Sequence, residues 1–230
     1  MENNKDDYTH FLKPIPLLKA AKLTKKALKS VCIVETEEIS GSAGFYFFES
    51  TSGTRHCLIS CHHLLPPEQV LTATFQFKWH KFSLKEDWIG QVSFKPKFEG
   101  DFIVIELKSK AINILKSIGV SFLKVSGPQT GDQFLIIQYP DKDLCLGHGS
   151  IQAIRGFSLE YYAPTAFGSS GSPLLRLSGE AIGVHRGRYQ DDSHSLPALG
   201  PRKVATCLTE IIRYFLLKTH HQTYSYASCS

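Results

Sequence analysis

The chain has 230 residues, of which 42% are hydrophobic and 20% charged, and a formal net charge of +5. That balance excludes a disordered chain, and no uncharged apolar run approaches the roughly 18–20 residues that a membrane span needs. The length fits one large domain or two small, closely packed ones.

The first residues, Met1 to Asp7, are polar and lack the apolar stretch of a secretory signal. Six cysteines (Cys32, Cys57, Cys61, Cys145, Cys207, Cys229) follow no framework spacing and read as reduced thiols of an intracellular protein. Residues 15–30, IPLLKAAKLTKKALKS, predict an amphipathic helix. Its lysines, Lys19, Lys22, Lys25, Lys26 and Lys29, read as a solvated face, so neither nucleic acid nor membrane is expected as a partner.

From Val31 the texture changes to short β-rich runs: VCIVE, GFYFFES, HCLISCHH, VLTATFQFKW, GQVSFKPK and DFIVIEL. A helical or loop-like connector near 108–130 precedes a second set: DQFLIIQYP, GHGSIQAI, LEYYAP, GSPLLRL and AIGVHRGRY. The segment 202–218, RKVATCLTEIIRYFLLK, has helical spacing, with Val204, Leu208, Ile211, Ile212 and Phe215 on one stripe. Two sets of about six strands, bracketed by helices, predict an all-β fold with flanking helices, built as two six-stranded antiparallel barrels and a C-terminal helix. The expected organisation is an N-terminal extension with a basic helix over 1–27, a first barrel over 28–118, a second barrel with the last helix over 119–218, and a tail over 219–230.

Three motifs make chemical sense together. In FGSSGSPLL (167–175), glycines flank Ser170 and let the backbone turn so that two amides face a substrate carbonyl. A serine hydroxyl is a poor nucleophile without a base, and the base needs an acid to hold its tautomer. LISCHHLL (58–65) offers histidines at the end of a β run, and GDFIVIEL (100–107) opens an apolar strand with an aspartate. The Gly-x-Ser-x-Gly elbow of α/β-hydrolases is not met, because Ser172 stands where its last glycine belongs. The order His, Asp, Ser is that of chymotrypsin-like enzymes.

Across residues 28–218 the chain resembles the trypsin-like serine proteases of the chymotrypsin fold. ISCHHLL resembles the family's histidine signature and assigns the catalytic base to His63 rather than His62. DFIVIEL resembles its aspartate strand and gives Asp101. GSSGSP resembles Gly-Asp-Ser-Gly-Gly-Pro and implies Ser170 as nucleophile, with the Gly168 and Ser170 amides as oxyanion hole. GSAGFYFF (41–48) resembles a first-barrel strand, and GDQFLIIQYP the opening strand of the second. The acid that precedes the nucleophile in secreted trypsins, where it pairs with a freshly cut N-terminus, is Ser169 here, and the usual disulfide cysteines are missing. Both departures are similar to intracellular relatives: bacterial glutamyl endopeptidases, high-temperature-requirement proteases, and a vertebrate nuclear family to which GSSGSP and the SLPALGP link are most similar. The expectation is a cytoplasmic or nuclear endopeptidase acting on protein or peptide, without cofactor or metal, whose oxyanion loop does not depend on proteolytic processing.

The resemblance also implies a specificity pocket. Pro164 stands where trypsins carry the aspartate that binds basic side chains, so cleavage after Lys or Arg should be poor. Thr165, His185 and Gly187 resemble the glutamyl endopeptidase pocket, and Arg186 and Arg188 make its mouth positive. Glu or Gln before the cut is slightly favoured over an aromatic residue or Leu. Two other readings carry less. The group Cys57, Cys61, His62 and His63 lacks a second ligand pair at zinc-site spacing. A catalytically inactive protease fold serving as a binding module would have no need of all three triad groups.

Overall fold

The computed structural model describes residues 14–188 and 202–219. Helix α1 (Leu17–Ala27) buries Leu23 and Ala27, one helical turn apart, and leaves Leu17 and Leu18 exposed. Seven strands then run through the N-terminal half: β1 (Val31–Glu35), β2 (Ser40–Ser50), β3 (Gly53–Ser60), β4 (Thr74–Phe77), β5 (His80–Phe82), β6 (Ile89–Lys95) and β7 (Phe102–Leu107). The connector expected near 108–130 is helix α2 (Ser109–Ser117) followed by the short strand β8 (Leu123–Lys124).

These strands form one eight-stranded sheet in the order β5-β4-β1-β2-β3-β7-β6, with β8 added parallel to β2. The two strands beyond the six expected are the shortest, β5 and β8, and extend the sheet where a hairpin and a connector run beside it. With β8 the first sheet reaches residue 124.

The second half is a closed six-stranded antiparallel barrel: β9 (Gln133–Gln138), β10 (Cys145–Arg155), β11 (Ser158–Tyr162), β12 (Pro173–Arg176), β13 (Ala181–Arg188) and β14 (Lys203–Cys207), joined in the order β10-β11-β14-β13-β12-β9. Side chains of a strand alternate between faces, and β9 uses both. Phe134 and Ile136 pack inside this barrel with Ile151, Leu159, Tyr161 and Leu174, whereas Leu135 and Ile137 join the larger core of the first sheet. The two halves therefore share one apolar seam.

The C-terminal segment departs from the helix expected over 202–218. Lys203–Cys207 is strand β14, which closes the barrel against β11 and β13, and helix α3 spans Leu208–Thr219. Val204 and Thr206 are β-branched and suit a strand buried on both faces, and pairing on two sides outweighs the local helical spacing. The SLPALGP link lies outside the described residues. No helix among the described residues is long and apolar enough to cross a membrane.

Candidate active site

Strand β3 ends at Ser60, and the chain then makes a tight turn in which the Leu64 and Leu65 amides donate to the Cys61 carbonyl at 3.2 and 3.1 Å. Leu64 and Leu65 are buried and anchor this turn, which carries both histidines. His62 stacks on Phe94, with ring centroids 5.2 Å apart. His63 instead meets Asp101: its backbone amide donates to Oδ1 at 3.0 Å, and its Nδ1 lies 2.6 Å from Oδ2. An ionised carboxylate only accepts hydrogen bonds, so Nδ1 carries the proton and Nε2 is left with a lone pair.

Asp101 is 1% exposed and adopts φ 51°, a left-handed conformation uncommon for a residue other than glycine. Several contacts hold it there. Its amide donates to the Pro96 carbonyl at 3.0 Å, and the Thr206 hydroxyl of β14 donates to the Gly100 carbonyl just before it. The second barrel thus braces the acid of the first sheet.

The glycine-flanked serine lies in the turn between β11 and β12. Gly168 and Gly171 both have positive φ, 88° and 83°. A Cβ on Gly171 would fall 1.7 Å from the Ser42 carbonyl oxygen, so only glycine fits. Along this turn the amides alternate in their use. Ser169 N–H donates to Ala166 O at 3.1 Å and Gly171 N–H to His185 O at 2.8 Å. The amides of Gly168 and Ser170 donate to no protein atom among the described residues. Ser170 itself is half-buried, and its carbonyl accepts the Ser42 amide at 2.7 Å, which ties the turn to β2 of the first sheet. No hydrogen bond joins Ser170 Oγ to His63. Such contacts are often long in an unliganded enzyme and tighten with substrate.

His185 lies on β13, directly beside this turn, with its amide donating to Ser172 O at 2.8 Å. The side chain is 3% exposed, and Nδ1 is 2.5 Å from the Tyr161 hydroxyl. Burial, then the nearby Lys203 and His63 charges, lower its pKa to about 3, so the ring is neutral at ordinary pH. The buried phenol has one proton to place and no other partner among the described residues, so it donates to Nδ1 and leaves Nε2 as an N–H donor. A Cβ on Gly187 would meet nothing within 4 Å, which leaves open space on this strand. Thr165 is half-buried, and no hydrogen bond joins it to His185. Arg186 donates to Ser158 Oγ at 2.6 Å, and Arg188 is exposed.

Two neighbours, Ser42 and Tyr161, carry no motif that marks them as site residues, and Cys61 enters the sequence reading only within the zinc grouping. Cys61 donates its thiol proton to the His185 carbonyl at 3.2 Å. Ligand atoms of Cys61, His63 and Asp101 lie within 4.8 Å of one another, a grouping a metal could use. Burial and the Asp101 charge, however, push the Cys61 thiol well above its ordinary pKa, and a protonated thiol is a poor ligand. Cys57 lies outside that group, buried in β3.

The family model described as a trypsin-like peptidase domain matches residues 42–184. Among solved structures, the active form of the Rv3671c protease from M. tuberculosis is 16% identical, covers 95% of this chain and 93% of its own, and superposes with a TM-score of 0.64. The serine endoprotease from Yersinia pestis is 15% identical over 91% of this chain and 69% of its own, with a TM-score of 0.62. The serine protease of a human pathogenic astrovirus is 16% identical over 78% of this chain and 90% of its own, with a TM-score of 0.53. At these identities the likeness is one of fold, and it is the chymotrypsin-like fold expected above. The family match spans well over half of the 230 residues: the chain belongs to the trypsin-like peptidase domain family and is by that membership a serine endopeptidase.

Proposed function

We propose that this protein cleaves peptide bonds through Ser170, His63 and Asp101 by way of an acyl-enzyme. His63 Nε2 takes the proton of Ser170 Oγ as the oxygen attacks the scissile carbonyl, then returns it to the leaving amine. Asp101 holds the tautomer that keeps Nε2 basic and stabilises the imidazolium that forms. The Gly168 and Ser170 amides, which have no hydrogen-bond partner among the described residues, are the donors for the oxyanion. Water, activated by the same histidine, then releases the acyl group. The observation that carries this reading is the double contact of Asp101 with the His63 amide and ring. The test is peptide cleavage by Ser170→Ala: a folded variant with a rate lower by orders of magnitude supports it, and wild-type cleavage refutes it.

The reading extends to the residue before the cut. Pro164 supplies no counter-charge for Lys or Arg. A neutral His185, with Nδ1 occupied by Tyr161 and Nε2–H free to donate, suits the carbonyl or carboxylate oxygen of Gln or Glu. Aromatic residues and Leu rank next. A protein or peptide substrate follows from the same proposal, and the cysteines, read as reduced thiols, support a cytoplasmic or nuclear setting. A peptide library varied at this position decides the preference: dominant cleavage after Phe, Tyr or Leu, unchanged in His185→Ala, contradicts the polar pocket.

A further inference from the structure

We infer that two serine hydroxyls, those of Ser42 and Ser169, hold the Gly168–Ser170 loop in its working shape, so that it is formed without a newly cut N-terminus. The inference rests on the proposed role of Ser170 and deepens it.

A peptide unit is planar, so fixing its C=O or N–H fixes the dihedral angles on either side. Three successive units of this loop are held. In the unit between residues 168 and 169, the carbonyl accepts the Ser42 hydroxyl at 3.2 Å and the amide donates to Ala166 O at 3.1 Å. In the next unit, the Ser169 carbonyl accepts the Ser172 amide at 3.1 Å and the Ser170 amide has no partner among the described residues. In the third, the Ser170 carbonyl accepts the Ser42 amide at 2.7 Å and the Gly171 amide donates to His185 O at 2.8 Å.

Most of these contacts are backbone to backbone. Side chains make two of the contacts that hold the loop: Ser42 Oγ on the Gly168 carbonyl, and Ser169 Oγ, which accepts the Ala166 amide at 3.0 Å and closes the turn locally. Both serines are fully buried, so neither hydroxyl has water as an alternative partner. Ser42 is itself braced, because its carbonyl accepts the Ser60 hydroxyl at 2.8 Å. A buried carboxylate at residue 169 would require a cation to stabilise it. The Ser169 hydroxyl needs none, and the loop is closed by neutral hydrogen bonds within the protein. Ser42 and Ser169 are positioning residues, acting on the oxyanion through the loop.

The experiment uses the full chain and its Ser42→Ala and Ser169→Ala variants. Each should lower kcat for a peptide substrate by about two- to twelve-fold, the worth of one hydrogen bond. The affinity for a peptide aldehyde, whose tetrahedral adduct occupies the oxyanion hole, should fall by the same factor, while KM and the pH profile set by His63 stay put. Folded variants that keep wild-type kcat and aldehyde affinity, or that change only KM, overturn the inference. A variant that does not fold is replaced by an independent reading on the wild type. Fluorophosphonate labelling of the uncut full chain supports the inference; labelling that appears only after a cut near Val31 overturns it. A wild type that labels in neither form refutes the proposed function, and this inference with it.

Discussion

The Tyr161 hydroxyl and His185 Nδ1 meet 2.5 Å apart inside the second barrel, on strands β11 and β13, with both side chains buried. The tyrosine selects the tautomer of the histidine, and burial keeps that histidine neutral. Tyr161→Phe removes the selection while retaining the ring. We expect kcat/KM for substrates with Gln or Glu before the cut to fall about ten-fold, with little change for Leu. Steady-state kinetics on matched peptides check this.

The same histidine couples folding to pH. Its folded pKa, about 3, lies below the ordinary histidine value of 6.5, so the unfolded chain binds the proton more readily. Stability therefore rises with pH through the window between those values and is lost as pH falls through it, by up to about 1.4 kcal/mol per pH unit. Glu35, held at about 2 by Lys142 and Lys81, adds to the loss below the ordinary glutamate value of 4.5. His56 and His148, whose pKa values burial also lowers, contribute with the same sign, so His185 is read by difference: in urea unfolding between pH 4.5 and 6.5, His185→Gln should make the profile shallower.

Glycine is required at residue 171 for two reasons, the positive φ and the 1.7 Å approach of the Ser42 carbonyl to its missing Cβ. Gly171→Ala should cost about 2–4 kcal/mol of stability and nearly all activity. Gly53, also at positive φ but with nothing within 4 Å, is the control. Its alanine variant should lose about 1 kcal/mol and keep its activity. Thermal unfolding and peptide cleavage separate the two outcomes.

In the proposed mechanism Asp101 acts through the His63 ring. Asp101→Asn preserves shape but places an amide against Nδ1, and its NH2 group favours the tautomer with the proton on Nε2. We expect kcat to fall about 10⁴-fold near neutral pH, as for other triads of this kind, with partial recovery at high pH. A loss of less than about ten-fold would remove Asp101 from the mechanism.

Local pattern made much of this legible. The alternation in DQFLIIQ becomes β9, whose even residues line the barrel and whose odd residues face the shared core. His63, Asp101 and Ser170 are assigned by the resemblance of three short motifs, in their order along the chain, to those of the trypsin-like proteases. What escaped depends on long-range pairing. Val204 and Leu208 share a helical phase, but Val204 pairs with Glu160 and Gly187 in a barrel that local spacing cannot register. Ser42 reaches Gly168 across 126 residues, and Tyr161 meets His185 across 24, with no motif linking either pair. Partners of this kind are set by the fold and not by the segment.

Ser170 is the proposed nucleophile, and treating the full chain with a fluorophosphonate and mapping the adduct by peptide mass spectrometry tests that assignment at the reacting atom. A single phosphonylated residue, Ser170, is expected, with labelling abolished in Ser170→Ala and strongly slowed in His63→Ala. An adduct on Ser169 or Ser172, or labelling that persists in Ser170→Ala, would contradict it.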